Sequence, residues 1–386
     1  MPVSSPLCSQ DLCLIFLQRA GYLLAFFELW LQNKGMEKPP FNPIGLLGIE
    51  FIEFAARDPK PLEELFLRMG FAKLKQHTHL SVGYYRQHDI HWLLNSTPGS
   101  FAQGFSNIHG NSISSMGWRV RNANEAFRIA VERGARPCQE SDYKDKQGHL
   151  IPAIYGIGDS LIYFIDHYKE GKCYEEMGFE TVIKEETSFK TKGFSHIDHL
   201  TNNVPSGTME KWSAFYKNIF GFTEVRYFDI KGKKTGLISY ALRSPDGSFC
   251  IPINEASDEK SQINEYLRDY KGAGIQHVAL STQDIVRSLR ELKAEKVNML
   301  EVEGDYYSHV FHRVPNVTED HETLKELGIL IDGDEEGYLL QIFTQNLIGP
   351  IFFEIIQRKN HLSFGEGNFG ALFRSIESDQ EKRGVL

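Results

Sequence analysis

Hydrophobic and polar positions follow the same order in two separate stretches of the chain. The stretch GIEFIEFAARDPKPLEELFLRMGFAKL begins at Gly48, and HIDHLTNNVPSGTMEKWSAFYKNIFGFTEV begins at His196. Each starts with alternating apolar and polar residues, which is typical of a strand, and continues through a polar connector into a helical pattern. A Gly-Phe pair, beginning at Gly70 or Gly221, then opens another strand. The shared order predicts two copies of one strand–helix–strand unit.

Two further pairs of stretches extend this repeat. MGWRVRNANEAFRIAVERGARP from Met116 and IQHVALSTQDIVRSLRELKAEKVN from Ile275 both predict a strand, an Asx-type helix start and a helix. LIYFIDHY from Leu161 and IFFEIIQR from Ile351 are both apolar, strand-like runs. We therefore predict an α+β protein of two similar halves, each containing two β-α-β-β-β units. A doubly wound parallel sheet is disfavoured, because no glycine-rich phosphate loop follows any strand and the later strands follow one another closely.

The repeat sets the predicted domain boundaries. We expect an N-terminal extension over residues 1–44, a first domain over 45–185 and a second over 186–386. The polar stretch KEETSFKTKG, at 184–193, is the predicted linker. Residues 12–32 are strongly apolar, but one glutamine and two charged residues interrupt them, so a spanning helix is disfavoured. The extension is interpreted either as an amphipathic surface helix or as a leader before a start at Met36.

Composition narrows the functional class. The 386 residues are 41% hydrophobic and 24% charged, which is ordinary for a soluble globular protein. The net charge of −9 and the absence of a long basic run argue against nucleic acid as a partner. The five cysteines form no CxxC pair, which favours reduced thiols and a cytoplasmic location. The 27 phenylalanines indicate either an aromatic-lined pocket or simply a large core.

Three polar residues stand out when the halves are superposed by hand. His199 falls on Phe51, His277 on Gly117 and Glu354 on Phe164. Taken singly, a strand histidine is usually a hydrogen-bonded core or edge residue, and Glu354 within IFFEIIQ could be a buried ion pair or a protonated acid. Together, two histidines and a carboxylate form the facial triad of non-haem Fe(II) enzymes, which leaves coordination positions open. A structural zinc site would take four ligands, usually with cysteine.

Strand periodicity separates the two histidines of FSHIDHLTNNV, at 194–204. His196 and His199 are three residues apart, so on a regular strand they face opposite sides, with Ile197 on the side of His199. Only His199 falls on an apolar residue of the first half. Asp198 falls on Glu50 and is interpreted as a structural polar position of both halves.

Five motifs carry a family resemblance: IDHLTNNV, GAGIQHVAL, LLQIFT, FFEIIQR and FGEGNFGALF. In this order they resemble the 4-hydroxyphenylpyruvate dioxygenases, over residues 45–377. The resemblance implies the vicinal-oxygen-chelate fold, with two open β-barrels and Fe(II) held only in the C-terminal one by His199, His277 and Glu354. It implies oxidative decarboxylation, ring hydroxylation and side-chain migration with 4-hydroxyphenylpyruvate and dioxygen, giving homogentisate and CO₂ in tyrosine and phenylalanine catabolism. We also expect a homo-oligomer, either a dimer or a tetramer, and no membrane partner.

The same resemblance implies a substrate pocket. Its polar positions are Ser239, Asn254, Gln262, Gln276 and Gln341, of which Asn254, Gln276 and Gln341 are assigned to catalysis. Its aromatic positions are Phe343, Phe352, Phe364 and Phe369. From the residues alone, a strand amide is more often an edge or turn partner, and a phenylalanine is more often plain core.

The C-terminal stretch predicts a lid over the pocket. Apolar residues from Phe369 to Ile376 follow the spacing of one helix face, and Gly365 and Gly367 before them could act as hinges. An ordinary helix docked on the barrel is the alternative. The preceding segment KNHLS is short and lacks the glycine that the resemblance leads us to expect, which puts the position of Phe364 in doubt.

Three alternative functions remain open at this point. Hydroxymandelate synthase shares fold, metal and substrate, but phenylalanine at both lid positions favours ring attack. An extradiol ring-cleaving dioxygenase shares the triad, although LLQIFT and the lid motif argue against it. A metal-free binding protein on the same scaffold would have no use for the triad.

Overall fold

The structure is a computed structural model that describes residues 41–183, 190–232, 235–302 and 304–384. The extension up to residue 40, with its leader hypothesis, and residues 184–189 of the predicted linker lie outside the described residues. Within the described ranges, no helix is long and apolar enough to cross a membrane. Asn42–Leu386 form one compact unit, so the division into domains at residues 185 and 186 remains a prediction.

The first half of the described chain forms one eight-stranded sheet, in the order β6-β7-β5-β1-β4-β3-β2-β8. Its strands are β1 (Leu46–Ala55), β2 (Ala72–His77), β3 (Val82–Gln87), β4 (Ile90–Asn95), β5 (Ser112–Val120), β6 (Ala153–Tyr155), β7 (Leu161–Ile165) and β8 (Phe179–Thr181).

The second half forms another eight-stranded sheet, in the order β10-β11-β12-β9-β13-β16-β15-β14. Its strands are β9 (Phe194–Val204), β10 (Thr223–Lys231), β11 (Gly236–Arg243), β12 (Cys250–Ala256), β13 (Gly274–Thr282), β14 (Leu330–Gly333), β15 (Tyr338–Phe343) and β16 (Phe352–Lys359).

Helices connect the strands and cover the sheets. The α-helices are α1 (Lys60–Arg68), α2 (Phe101–His109), α3 (Ala123–Glu132), α4 (Lys172–Glu176), α5 (Met209–Phe215), α6 (Gln262–Tyr270), α7 (Ile285–Ala294), α8 (Tyr307–Arg313), α9 (His321–Leu327) and α10 (Phe369–Lys382). A π-helical turn follows α5 at Tyr216–Phe220, and 3-10 turns occur at Ile157–Asp159, Lys169–Gly171, Gly304–Tyr306 and Glu366–Asn368.

The predicted repeat is present in both sheets. Strand β1, helix α1 and strands β2 to β4 form a β-α-β-β-β unit, and β9, α5 and β10 to β12 form its counterpart. Strand β13, helix α7 and strands β14 to β16 form a third unit. The fourth unit differs from the prediction, since only β6 and β7 follow α3 before the short β8, which joins the opposite edge of the sheet.

Strand pairing corrects the hand-made superposition. Phe51 pairs with Gly117 across β1 and β5, whereas His199 pairs with Ala279 across β9 and β13. If Phe51 corresponds to His199, then Gly117 corresponds to Ala279, and His277 corresponds to Ser115. The helix caps agree, because Asn122 caps α3 as Asp284 caps α7. The superposition of His277 on Gly117 was therefore wrong by two residues.

The third superposed pair was also wrong, by one residue. Gly117 pairs with Tyr163 on the neighbouring parallel strand, and Ala279 pairs in the same way with Glu354. Glu354 therefore corresponds to Tyr163 and not to Phe164. The residues of the first half at the three triad positions are thus Phe51, Ser115 and Tyr163.

Aromatic side chains fill the interior of the first sheet. The ring of Phe51 lies 6.4 Å from that of Tyr143 and 5.9 Å from that of Tyr163, and all three side chains are fully buried. A Cβ atom at Gly117 would lie 2.4 Å from the Phe51 ring, so this glycine makes room for the ring. In the second sheet, His199, Ala279 and Glu354 occupy the places of Phe51, Gly117 and Tyr163. A cavity lies in front of these residues.

Candidate metal centre and substrate pocket

The cavity of the second sheet collects every predicted site residue. The three predicted metal ligands lie in its wall, and so do all nine predicted substrate-pocket positions. The wall consists of His199, Thr201, Phe228, Ile230, Leu237, Ser239, Pro252, Asn254, Gln262, Gln276, His277, Gln341, Phe343, Phe352, Glu354, Phe364, Phe369, Leu372, Phe373 and Ile376. The fold therefore brings the whole predicted set together, whereas the functional role of each residue stays a prediction.

Three adjacent strands position the triad. His199 on β9 and Glu354 on β16 both pair with Ala279 on the central strand β13, so they lie at the same level on either side of a small side chain. His277 lies two residues before Ala279 on β13 and therefore projects from the same face. Because Ala279 occupies little space, the three longer side chains can converge in front of it.

The ligand atoms of the triad face one another. Nε2 of His199 lies 3.1 Å from Oε2 of Glu354, and Nε2 of His277 lies 3.6 Å from the same oxygen. The two Nε2 atoms are 3.3 Å apart. Ligands bound at about 2.1 Å to one octahedral ion lie about 3 Å apart along an edge. The donor set and its spacing therefore fit a single divalent cation.

Neighbouring residues fix the orientation of both histidines. Nδ1 of His199 lies 2.8 Å from Oδ1 of Asp198, and Nδ1 of His277 lies 3.1 Å from Oε1 of Gln276. Each ring therefore donates from Nδ1 and presents Nε2 to the cavity, as metal-bound histidines do. The ring of Phe352 stacks on that of His277 at 4.8 Å and restricts its rotation.

The charges of the site also suit a cation. Burial alone would lower the pKa of His199, but the carboxylates of Glu354 and Asp198 outweigh it and raise the pKa to about 9. Burial, together with the charge of His199, holds the pKa of His277 well below its usual range. Without an ion, a proton on His199 thus compensates the buried carboxylate of Glu354, and a divalent cation would replace that proton.

A half-buried ion pair with Arg358 holds the Asp198 carboxylate. Arg358 donates to Oδ2 of Asp198 from Nε at 2.7 Å and to Oδ1 from a terminal nitrogen at 2.9 Å. The guanidinium and the ring of His199 outweigh the burial of Asp198 and hold the pKa of its carboxyl far below the usual range. Asp198 is thus more than the shared structural position that the sequence indicated, since it orients a predicted metal ligand.

Strand pairing contradicts the prediction that His196 and His199 face opposite sides. His196 pairs with Ser281, two residues after Ala279 on β13, so it lies on the same side as His199, although His199 is buried and His196 is exposed. The register shifts between the His199–Ala279 pair and the Ile197–Leu280 pair. This bulge interrupts the alternation between the two residues, so Ile197 and His199 do not follow the regular period of a strand.

Polar side chains form another part of the cavity wall. Ser239 and Asn254 are register partners on β11 and β12, and Nδ2 of Asn254 donates to Oδ1 of Asn203 at 3.2 Å. Gln262 begins helix α6. The side-chain oxygen of Gln341 is buried and has no hydrogen-bond partner among the described residues. Such an unpaired acceptor in a cavity wall is available to a ligand.

Aromatic rings form the remaining walls. Phe364 lies 5.9 Å from the ring of His199, which removes the doubt that the short preceding segment raised about its position in the cavity. Phe343 lies 6.1 Å from Phe352 on the other side of the triad. Phe228 contacts both Phe364 and Phe369, at 6.1 and 5.1 Å, and closes the wall beneath the last helix.

Helix α10 covers the cavity, as the apolar spacing predicted. Phe369, Leu372, Phe373 and Ile376 all face into it. The buried side chains of the helix are also anchored to the barrel, because Glu377 accepts from the backbone and hydroxyl of Thr235, and Gln380 donates to Glu265 at 2.7 Å. The predicted lid and the alternative of a docked helix therefore describe the same element.

Five residues of the cavity wall were missed in the sequence: Thr201, Phe228, Ile230, Leu237 and Pro252. Thr201, Leu237 and Pro252 each lie two residues from a predicted position on the same strand, so the period of a strand could have found them. Phe228 and Ile230 lie on β10, where no residue had been assigned, and nothing in the sequence connects that strand to the triad.

Comparison with known proteins shows which family the chain belongs to. The family profile described as hydroxyphenylpyruvate dioxygenase, N-terminal, matches residues 41–180, and that of the glyoxalase, bleomycin resistance protein and dioxygenase superfamily matches residues 196–322. The 4-hydroxyphenylpyruvate dioxygenase of Pseudomonas aeruginosa is 45% identical over 351 residues, which cover 89% of this chain and 97% of that one. The chain belongs to the 4-hydroxyphenylpyruvate dioxygenase family. The vicinal-oxygen-chelate fold predicted for it is confirmed.

Two other similar proteins bear different descriptions. Protein MelA of Shewanella colwelliana is 57% identical over 346 residues, covering 89% of this chain and 99% of that protein. A solved fusion of a xylose isomerase-like TIM barrel with 4-hydroxyphenylpyruvate dioxygenase superposes with a TM-score of 0.75 at 27% identity. The match covers 91% of this chain and 56% of the fusion protein. This member of the dioxygenase family therefore corresponds to about half of that longer chain.

Proposed function

We propose that this chain is an Fe(II)-dependent 4-hydroxyphenylpyruvate dioxygenase that forms homogentisate and CO₂ in tyrosine and phenylalanine catabolism. One feature of the cavity carries the proposal. Among the described residues of its wall there is no lysine and no arginine. A 2-oxo acid enters as an anion, and a buried anion needs a compensating charge. In this wall a divalent cation held by His199, His277 and Glu354 would supply that charge.

The triad and its supports would perform the first task, which is to hold the ion. Two neutral imidazoles and one carboxylate leave an Fe(II) centre with a net positive charge, which suits a carboxylate ligand. When bound, the iron supplies the activation of dioxygen and the oxidation of the substrate. Asp198 and Gln276 keep Nε2 of each histidine directed to the ion.

The polar wall would perform the second task, which is to orient the substrate. Neutral groups such as the hydroxyl of Ser239 and the amides of Asn254 and Gln341 can hydrogen-bond a phenol or a carboxylate without adding charge. The unpaired oxygen of Gln341 supports this assignment, because a donor such as a phenol hydroxyl would satisfy it. A correctly held ring lies close to the reacting atoms, which is a large part of the rate acceleration in such reactions.

The aromatic wall and helix α10 would exclude water. Phe364, Phe369 and Phe228 surround the side of the cavity nearest the helix. Apolar rings there stack on the ring of the substrate and keep solvent from reactive species. Phenylalanine at both Phe364 and Phe369 supports ring hydroxylation over the benzylic hydroxylation of hydroxymandelate synthase.

Oxygen uptake with product identification tests the proposal. Purified full-length protein, loaded anaerobically with Fe(II), is given 4-hydroxyphenylpyruvate, and products are separated by chromatography against authentic standards. We expect one dioxygen consumed and one CO₂ released per homogentisate. Hydroxymandelate as the product would overturn the choice of reaction. No oxygen uptake by Fe(II)-loaded protein would instead favour a binding protein.

The proposal also includes the cellular location and the oligomeric state. We propose a cytoplasmic location, which the free thiols of Cys138, Cys173 and Cys250 support, since oxidising compartments favour disulfides. We also propose a homo-oligomer, a dimer or a tetramer, which light scattering of the full chain would measure directly. A monomer at micromolar concentration would contradict it.

A further inference from the structure

Arg358 connects two parts of the site that are distant in the sequence. It lies four residues after Glu354 on β16, an even spacing that places both side chains on the same face of the strand. One edge of its guanidinium binds the carboxylate of Asp198. Its remaining terminal nitrogen donates to the backbone carbonyls of His361 at 3.1 Å and Ser363 at 2.6 Å. A single planar group thus holds Asp198 and the following chain together.

The two groups that Arg358 holds contact different parts of the site, namely the metal centre and the pocket. Asp198 accepts from Nδ1 of His199 at 2.8 Å, and His199 is a triad residue. The carbonyls at 361 and 363 belong to the segment 361–364, here called the lid segment, which ends at Phe364 and leads into α10. The Phe364 ring packs back against His199 at 5.9 Å. The chain of contacts from Phe364 through Arg358 and Asp198 therefore returns to the same histidine.

The first half contains a similar ion pair without these connections. Nε of Arg119 donates to Oε2 of Glu50 at 2.6 Å, and Glu50 corresponds to Asp198. The terminal nitrogens of Arg119 bind the carboxylate of Asp89, an exposed loop residue. An arginine–carboxylate pair is therefore common to both halves, whereas its connection to a triad histidine and to a lid segment is specific to the second.

We propose that Arg358 is a positioning residue that couples the closed position of the lid segment to the orientation of His199 through Asp198. The inference rests on the proposed function insofar as it takes His199 for a metal ligand. If the lid segment moves away, two carbonyls leave the guanidinium, and the constraint on the Asp198 carboxylate weakens. The coupling is reciprocal, so an ion bound at His199 stabilises the closed segment, and the closed segment strengthens ion binding.

Three variants of the full chain test this coupling, namely Arg358→Gln, Arg358→Lys and, as the matched control, Arg119→Gln. The affinity for Fe(II) is measured anaerobically against a chromogenic chelator, without substrate. Hydrogen exchange of the backbone amides at 361–364 is measured with and without the ion. Arg358→Gln should weaken Fe(II) binding by about 10- to 100-fold, the usual effect of losing an outer-shell partner, and should abolish the protection that the ion confers.

The other two variants separate coupling from general stability. Arg358→Lys should recover part of the affinity, because an ammonium reaches the carboxylate but cannot also hold both carbonyls. Arg119→Gln should lower the midpoint of thermal unfolding while leaving Fe(II) affinity and ion-dependent protection unchanged. Should Arg358→Gln fail to fold, the lysine variant carries the test, with an expected loss of at least about threefold in affinity.

Two results would overturn the coupling. One is unchanged Fe(II) affinity and unchanged ion-dependent protection in the folded Arg358 variants. The other is an equal loss of affinity in Arg119→Gln, which would point to general destabilisation. Failure of the proposed function is a separate result: the wild-type protein would bind Fe(II) with the expected protection and yet consume no oxygen with 4-hydroxyphenylpyruvate.

Discussion

Nε2 of His199 lies 3.1 Å from Oε2 of Glu354, although the two residues are 155 positions apart in the chain. A buried histidine and a buried carboxylate at this distance form either an ion pair or two ligands of one cation. His277, with its Nε2 atom 3.3 Å from that of His199, favours the second alternative. A second imidazole adds nothing to an ion pair, but it completes a set of three ligands.

Removal of a single ligand should abolish metal binding and turnover while the fold survives. Glu354→Gln keeps the shape of the side chain, and His199→Ala opens a space in an already hollow barrel. Both variants should lose more than about 100-fold in Fe(II) affinity, which exceeds the loss expected for an outer-shell residue. Metal content after dialysis, oxygen uptake and a thermal unfolding curve measure the three properties.

His196→Ala is the matched control for this pair. His196 lies on the same strand as His199, three residues away, but is exposed. Its replacement should leave metal content and oxygen uptake unchanged. Full activity of either ligand variant, or loss of metal in His196→Ala, would refute the assignment of the triad.

The first half should resist conversion into a metal site by one substitution. Phe51→His introduces an imidazole at the place that corresponds to His199, but its neighbours would still be Ser115 and Tyr163. We expect no bound metal beyond that of the wild-type protein. We also expect a loss of at least about 2 kcal/mol in stability, since a packed ring is replaced by a polar one. Metal titration and urea unfolding measure both, and a second tightly bound ion per chain would contradict the prediction.

The internal repeat and the period of a strand pointed to the three polar residues of the triad, whereas the pocket positions came from the family resemblance. Superposition on Phe51 identified His199, and the apolar spacing of α10 identified the helix over the cavity. The positions opposite His277 and Glu354 were wrong because the hand-made superposition did not include the strand pairing or the helix cap at Asn122, which fix a different correspondence. Periodicity alone does not reveal where a strand gains a residue.

Two contacts between distant elements, those of Asp198 and of Phe228, could not be predicted from the sequence. Asp198 looked like a structural position because nothing local shows that Arg358, on another strand, would bind it. Phe228 lies on an edge strand whose pattern is largely exposed, so its place under α10 depends on the curvature of the sheet. Such contacts arise from tertiary packing, and the local patterns of a single sequence do not predict them.

Gln341→Met should impair turnover without destabilising the fold. Methionine matches the length of glutamine but cannot accept a hydrogen bond of comparable strength. Because Oε1 of Gln341 is buried without a partner among the described residues, its removal should leave the free energy of unfolding unchanged or raise it. Steady-state kinetics should show a higher KM or a lower kcat for 4-hydroxyphenylpyruvate. Lower stability together with normal kinetics would mean that this amide is structural.

Gly365→Ala should impair activity, whereas Gly370→Ala should keep activity and increase stability. Gly365 has a φ of +76°, and a Cβ atom there would lie 2.4 Å from Nε2 of Gln341. Alanine at this position should displace the pocket amide and lower kcat/KM by about tenfold or more, consistent with a misplacement near the reacting atoms. Gly370 lies in the first turn of α10, where its Cβ would come no closer than 3.5 Å to Arg374.

Gly370→Ala should therefore keep its activity and gain up to about 1 kcal/mol from the higher helix propensity of alanine. Oxygen-uptake kinetics and thermal unfolding of both variants measure these effects. Equal kinetics in the two variants would show that the close approach of Gly365 to Gln341 has no functional consequence.

The contribution of Glu53, a carboxyl of the first barrel, to stability should fall as the pH rises from 5 to 8. Glu53 is fully buried and accepts from Asn95 at 2.8 Å, Tyr143 at 2.6 Å and Ser115 at 2.5 Å. Burial and the charge of Asp142 raise the pKa of Glu53 from 4.5 to about 7. The folded state therefore keeps a proton that the unfolded chain has already lost, and its contribution disappears as the pH passes through 7.

The shift in the pKa of Glu53, from 4.5 to about 7, corresponds to about 3 kcal/mol between pH 4 and pH 8. Urea unfolding of the wild-type protein and of Glu53→Gln measures it, since the neutral amide has no proton to lose. The difference in unfolding free energy between the two proteins should change by about that amount across the range. Glu63→Gln is the control, because Lys73 and Tyr85 outweigh burial and lower the pKa of Glu63. The Glu63 carboxyl is ionised in both the folded and the unfolded state above pH 6, so the difference in unfolding free energy between wild type and Glu63→Gln should stay constant from pH 6 to pH 8. A constant difference for Glu53→Gln over the same range would contradict the prediction.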